Sequence, residues 1–545
     1  MLRYTLTVPL AAVFALFLLA SPSRAENEGQ DDLDKATDKK VAAESLADLE
    51  EVATLCESAL KKGLDEANAA FARQLLTASL YEHATRLSSA IFDREPPSPQ
   101  WPAIRQYALR SLERSLKFDE KQGNVYYLIA RLQALPGGDR DKGLKAANQA
   151  VRLAGDDNEQ LSKSLVLRGN LTDDADRQLA DYNQAVLIDP TNTEALRIRG
   201  SFHLVREDYD KAADDFAKLL ESDASNVNAH HALAEALTNL EKYDEALKHV
   251  NKGIEADPKN PLGYTLRARV HLMKEDAKAA LEDLDKALQI DPRDMQALLM
   301  RARYHFTQDD MAKAKDDVNQ LLTVRPGLVQ GILLRSAISA QEDRYDDAIT
   351  DLRGLLRLDP DNVGWRLQLA AYYVASDRPR RAIDVYNEMI DEDPENWMAM
   401  RGRGDALLAV GKQAEAIEDF ERVLKAEPDN SGTLNNLAWV LATSPDEKLR
   451  DGQRSIELAK KACELTEYKA AHILSTLASG YAETGDFENA KKWSKKAVEL
   501  GEGSDVREQL EKELESYKQG KPWRELQETE EKPDVTEPSG GSLQL

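Results

Sequence analysis

Prolines stand at Pro190, Pro258, Pro292, Pro326, Pro360, Pro394 and Pro428, so every gap after the first is 34 residues and the first is twice that. The skipped place is Ala224, inside Glu221-Ser222-Asp223-Ala224, where the rest of the pattern continues. Alanines recur in the same phase at Ala212, Ala246, Ala280, Ala314, Ala348, Ala382 and Ala416. A second small-residue series runs Gly200, Ala234, Ala268, Ala302, Ser336, Ala370, Gly404. Proline cannot continue a helix, so each one marks a turn into the next unit. Small residues let two helices approach closely. Between the landmarks the apolar spacing is helical, with Phe216, Leu219 and Leu220 on one face and Leu284, Ala287 and Leu288 on another. The chain therefore reads as a helical hairpin repeated end to end. A length of 545 residues agrees, because single cores stop growing at about 250–300 residues.

This pattern resembles the tetratricopeptide repeat (TPR) family, whose units of 34 residues carry a small residue at place 8, alanine at 20 and proline at 32. With the prolines at 32, units begin at Glu159, Thr193, Val227, Pro261, Met295, Val329, Val363 and Trp397. The resemblance implies an all-α, right-handed superhelical solenoid, here of about eleven or twelve hairpins. The unit at Glu159 departs from the pattern, its turn near Thr172–Asp176 looking about three residues short.

The flanks continue the array less regularly. Residues 1–25 read as a secretory signal of a periplasmic or secreted protein, the alternative being an uncleaved N-terminal membrane anchor: Arg3 is positive, Leu6 to Ala20 is apolar and uncharged, and Ser23-Arg24-Ala25 has small residues at its first and last places. Residues 26–44 are acidic and polar and are expected to be disordered. Residues 45–158 read as degenerate hairpins, with helices near 65–92 and 103–118 around the proline-rich Arg94–Pro102. Residues 159–430 are the in-phase repeats and 431–502 two further pairs, the first with a longer turn at Ser444–Gly452. Residues 503–518, with Val506, Leu510, Leu514 and Tyr517 as one stripe, are expected to cap the array. Residues 525–545 read as a disordered tail.

The net charge of −25 argues against nucleic acid as the main partner, since phosphate binding needs a basic face. The two cysteines, Cys56 and Cys463, exclude a disulfide scaffold and a multi-cysteine metal site. No phosphate-binding glycine loop, Cys-x-x-Cys, His-Glu-x-x-His or Gly-x-Ser-x-Gly occurs. His203, His271 and His305 fall at place 11, each with an acid four residues on: Glu207, Glu275 and Asp309. The acids lie in the turn between helices, so a polar ring replacing tyrosine is a better reading than a metal ladder. His230 and His231 are adjacent, point about 100° apart on a helix, and chelate poorly. The expectation is no cofactor, no metal and no enzyme.

In the resembling family the first helix of each hairpin lines the concave side, and places 2, 5, 9, 12 and 13 face the ligand. Carried onto this chain, they form an apolar stretch of Leu299, Phe306, Leu333, Leu367 and Val374, with Arg269 and Arg303 at its N-terminal side. A contiguous apolar surface marks an interaction site, the alternative being that tight superhelical curvature buries part of this stripe as core. The residues themselves show a further regularity. Arginine at place 7 and aspartate sixteen residues later occur together as Arg199 and Asp215, Arg267 and Asp283, Arg301 and Asp317, Arg335 and Asp351, and Arg403 and Asp419. The short-turned unit keeps Arg168 and Asp181. Two hairpins have Leu233 and Leu369 instead, and there His249 and Val385 take the partner's place. Such tracking predicts contact, with ion-pair distances within about 4 Å. The expected function is a non-catalytic scaffold of the exported or envelope compartment that binds a protein or peptide segment in its groove, with no membrane span in the mature chain. The alternative is a structural accessory subunit of envelope secretion or cell-wall assembly.

Overall fold

The computed structural model describes residues 28–93, 99–501 and 506–525. The signal-like residues 1–25, most of the proline-rich interruption and the tail beyond Glu525 lie outside them. The described residues hold 27 α-helices and no strand. The chain falls into two units, residues 1–283 and 284–545. Each is an array of antiparallel helix pairs.

The in-phase repeats are all built alike. First helices run Thr193–Val205, Val227–Asn239, Pro261–Met273, Met295–Thr307, Val329–Gln341, Val363–Ala375 and Trp397–Ala409. Each starts on the 34-residue mark because the preceding residue caps it. The side chains of Asn192, Asn226, Asn260, Asp294, Asn362, Asn396 and Asn430 accept backbone N–H groups of the first turn, which satisfies orphan donors. Leu328 breaks the series and makes no such bond. A left-handed residue ends the turn between the two helices: Glu207, Glu241, Glu275, Asp309, Asp343 and Asp377 all have φ near +60°, and Gly411 takes the next place.

The core is the seam between the two helices of each pair. The alanines at place 20, Ala212 to Ala416, have no exposed surface. Opposite them the small residue at place 8 admits a large ring: a Cβ on Gly404 would lie 2.5 Å from the Phe420 ring. Gly169 does the same for Tyr182 in the irregular unit. There the turn is not short. Helix Asn158–Leu171 stops three residues after Arg168, whereas Thr193–Val205 runs six past Arg199, so the missing residues come from the helix end.

One boundary is corrected. Residues 26–44 contain a helix, Gln30–Val41, paired with Leu46–Lys62. Only two of its apolar side chains, Leu33 and Ala36, are buried, but the neighbouring helices supply the rest of that core. Its one buried carboxylate is neutralised in place. Asp32 accepts from the Ser58 hydroxyl at 2.6 Å and meets Lys62 Nζ at 2.6 Å, and Lys39 pairs with Asp48 and Glu51. These partners hold the Asp32 carboxyl below its ordinary value.

At the other end, Ser431–Thr443 pairs with Gly452–Leu465 and Ala471–Glu483 with Phe487–Leu500. Helix Arg507–Lys518 follows, with Leu510 and Tyr517 buried. Val506 is exposed rather than part of the stripe, and Glu513 is buried in it instead.

Candidate interaction face

Six arginine–aspartate pairs close across the two helices of their hairpins. The nearest nitrogen–oxygen distances are 2.5 Å for Arg168 and Asp181, 2.6 Å for Arg199 and Asp215, 2.6 Å for Arg267 and Asp283, 2.6 Å for Arg301 and Asp317, 2.6 Å for Arg335 and Asp351, and 2.7 Å for Arg403 and Asp419. Each is two-pronged, with Nε bonding one carboxylate oxygen and Nη2 the other. Such forks are strong because both donors are satisfied in one geometry. Leu233 and Leu369 are buried where arginine is absent.

The sequence reading missed a third partner. Nη1 of Arg199 reaches Asn183 at 3.0 Å, that of Arg267 reaches Asn251 at 2.7 Å, that of Arg301 reaches Asp285 at 2.5 Å and that of Arg403 reaches Asn387 at 2.7 Å. All four lie on the second helix of the preceding hairpin. The signal was present: an Asn or Asp stands sixteen residues before each of these arginines, while Ala217 and Arg353 stand before Leu233 and Leu369.

The expected groove residues are divided in role. Leu299 and Phe306 are half-buried against a core of Ala302, Val318, Leu334 and Ile338. Leu333, Leu367 and Val374 are half-buried against the cluster around Leu369, Ala370 and Tyr373. Each therefore keeps part of its surface open. Arg303 is exposed, as is Arg401. Arg269 belongs to the other unit, 3.6 Å from Glu235, with its Nη2 buried and without a hydrogen-bond partner.

Models of the tetratricopeptide repeat match residues 204–270, 265–327, 339–396, 367–432 and 471–500. The chain belongs to the tetratricopeptide repeat family. No curated protein matches it. Among solved structures it is similar to a tetratricopeptide repeat protein from Parabacteroides merdae ATCC 43184, at 18% identity over 45% of this chain and 96% of that one, with a TM-score of 0.33. It is also similar to YrrB, described as a TPR protein with an unusual peptide-binding site, at 20% identity over 35% of this chain and 97% of that one, with a TM-score of 0.32. A third is pilF of Pseudomonas aeruginosa, at 18% identity over 41% of this chain and 97% of that one, with a TM-score of 0.32.

TPR arrays are generally non-catalytic scaffolds that bind proteins or peptides. Among the described residues no group of three or more His, Cys, Asp or Glu is placed to hold a metal, and no helix is long and apolar enough to cross a membrane. The acids four residues after His203 and His271 are not the carboxylates these rings meet. His203 Nδ1 meets Asp208 at 3.3 Å rather than Glu207, and His271 Nε2 lies 3.8 Å from Asp283. His230 instead finds His249, with Nδ1 to Nδ1 at 3.1 Å. Both thiols are fully buried, and burial pushes Cys56 up to about 12 and Cys463 up to about 11, so neither is a nucleophile near neutrality.

Proposed function

We propose that this TPR protein is a scaffold outside the cytoplasm that holds an extended or helical segment of a partner protein along the first helices between Met295 and Ala409. One observation carries the reading. Leu299, Leu333 and Leu367 sit at the same place in successive hairpins and keep partly open apolar surface on one face, with Phe306 and Val374 extending it. Folding alone gives no reason to leave that surface open. Exposed Arg303 and Arg401 flank it, so an acidic group on the partner segment completes the fit. The compartment rests on the leader-like composition of residues 1–25.

A photo-activated cross-linker placed at Leu333 in the native host, followed by mass spectrometry, should capture one dominant partner. Leu333→Gln with Leu367→Gln should lose that partner at a temperature where circular dichroism shows both the variant and the parent fully folded. Undiminished capture by the double variant overturns the reading. An N-terminus near Glu26 in the mature protein is expected, and intact 1–25 recovered from the cytosol would refute export.

A further inference from the structure

In the last two hairpins the corresponding places are covered, and by the chain itself. Counting from Ala471 as Leu333 is counted from Val329, Ser475 is fifth, Ser479 ninth and Glu483 thirteenth. From Ser431, Trp439 is ninth, Ala442 twelfth and Thr443 thirteenth. Helix Arg507–Lys518 takes the first two: Ser475 donates to the Glu513 carboxylate, and the Ser479 and Tyr517 hydroxyls lie 2.9 Å apart. The extended segment Lys521–Glu525 takes the other four. Arg524 Nη2 pairs with Glu483 at 2.5 Å, and its Nη1 donates to the Ala442 carbonyl at 3.2 Å. The Glu525 amide donates to the Thr443 carbonyl at 3.1 Å, and the Trp439 indole N–H donates to the Glu525 carboxylate.

The two parts are held very differently. The helix is anchored by Tyr517, Glu513 and Leu510, all buried, and caps the apolar end of the array. The segment after it is tied to the helix at its start, where the Lys521 amide donates to the Ser516 carbonyl at 3.0 Å and the Lys521 carbonyl accepts from the Ser516 hydroxyl at 2.9 Å, and beyond that Trp523 is only partly buried. Among the described residues the Glu525 carboxylate meets the indole but no cation. A carboxylate taken from water for one neutral donor is a weak anchor. Glu483 does not depend on Arg524 either, since Arg450 Nε holds it at 2.8 Å.

We infer that Lys521–Glu525 is a resident, displaceable ligand of the first-helix face, and that a partner segment reaching the helix Ser431–Thr443 binds by displacing it. The inference rests on the reading of that face under Proposed function. The competing segment has a defined chemistry: a peptide that presents a carboxylate to the Trp439 indole, a main-chain N–H to the Thr443 carbonyl and a cation to Glu483. This chain's own sequence at that point supplies all three.

The test uses the full chain and a fluorescein-labelled synthetic peptide with the sequence of residues 519–533 added in trans. Arg524→Ala with Glu525→Ala opens the face without disturbing the capping helix. A resident segment closed for nine parts in ten costs an incoming peptide about tenfold in apparent affinity. The peptide should therefore bind the double variant about tenfold more tightly than the parent, and adding Trp439→Phe should remove that gain. Hydrogen exchange should show the Glu525 amide protected in the parent. Equal affinity for both chains, binding to neither, or exchange of that amide at the free-peptide rate in the parent would each overturn the inference. Partner capture at Leu333 together with an unprotected Glu525 amide would sink the resident ligand and spare the scaffold. A protected amide with no partner captured would do the reverse.

Discussion

Arg301 grips Asp317 with Nε to Oδ2 at 2.9 Å and Nη2 to Oδ1 at 2.6 Å, while its remaining nitrogen reaches Asp285 at 2.5 Å on the hairpin before. One side chain thus ties together three helices. Asp317 is 3% exposed and cannot exchange its arginine for water. The pairing repeats along the array, so its role is to set the angle within hairpins and the register between them.

The energetic consequence is asymmetric. Asp317→Val leaves Nε and Nη2 of Arg301 unpaired, with Asp285 as the remaining partner, and should destabilise the chain by about 1–3 kcal/mol. Arg301→Leu with Asp317→Val rebuilds the leucine–valine arrangement that Leu369 and Val385 already use in another hairpin. That double variant should recover more than half of the loss in thermal unfolding. A double variant as unstable as the single one counts against the pairing.

Glycines separate packing from helix propensity. Gly404→Ala puts a Cβ 2.5 Å from the Phe420 ring, whereas Gly364→Ala meets nothing nearer than the Asn362 side chain at 3.6 Å. The first should cost about 1–2 kcal/mol net, because overpacking exceeds the helix gain. The second should stabilise by up to about 1 kcal/mol. Chemical denaturation of the two variants side by side reads the opposite signs, and equal shifts would mean that place 8 is not a close contact.

The parts of this architecture that were legible in the sequence are those that recur. Proline at place 32, alanine at 20 and the Arg–Asp pair each appear many times, so coincidence is excluded within one chain. The Asn183, Asn251, Asp285 and Asn387 series was equally periodic, but it joins neighbouring hairpins and hides from a search confined to one unit. Helix Gln30–Val41 was missed for a different reason. It buries two apolar residues of its own and borrows its stability from the helices beside it, which no local composition reveals. The contact of Glu525 with Trp439 spans 86 residues and occurs once, so nothing periodic announces it.

That first helix provides its own test. Leu33 is 2% exposed although it lies in an otherwise charged segment. Leu33→Ala should cost about 2–4 kcal/mol locally and open residues 30–41 to proteolysis. Val41→Ala, at a side chain 87% exposed, is the control and should change nothing. Equal cleavage of the parent and both variants would mean that the segment is not docked.

The last prediction concerns acid. His230 Nε2 lies 3.1 Å from the Ala224 carbonyl, which can only accept, so the neutral ring carries its proton there and its Nδ1 accepts from His249 Nδ1. A proton added at His230 Nδ1 would face the His249 Nδ1–H and break this bond. His231 lies against Gly253 and Gly263 with both ring nitrogens buried and unpartnered. Burial holds all three rings below the ordinary histidine value. Around them Asp223, Asp257 and Glu245 favour protonation, while Lys248, Lys252 and the rings' mutual repulsion oppose it. With the folded-state value lowered, the unfolded chain takes up protons first. The hairpin's stability is therefore full above about pH 6.5 and falls as the pH drops below it. His230→Leu with His249→Val removes two of the three rings and should weaken that dependence, His231 keeping the remainder. Hydrogen exchange across residues 227–256 at pH 7.5 and 5.5, corrected for intrinsic rates, should show a loss of protection in the parent that is smaller in the double variant. The same loss in both would mean that the histidines stay neutral throughout or are not the groups that titrate.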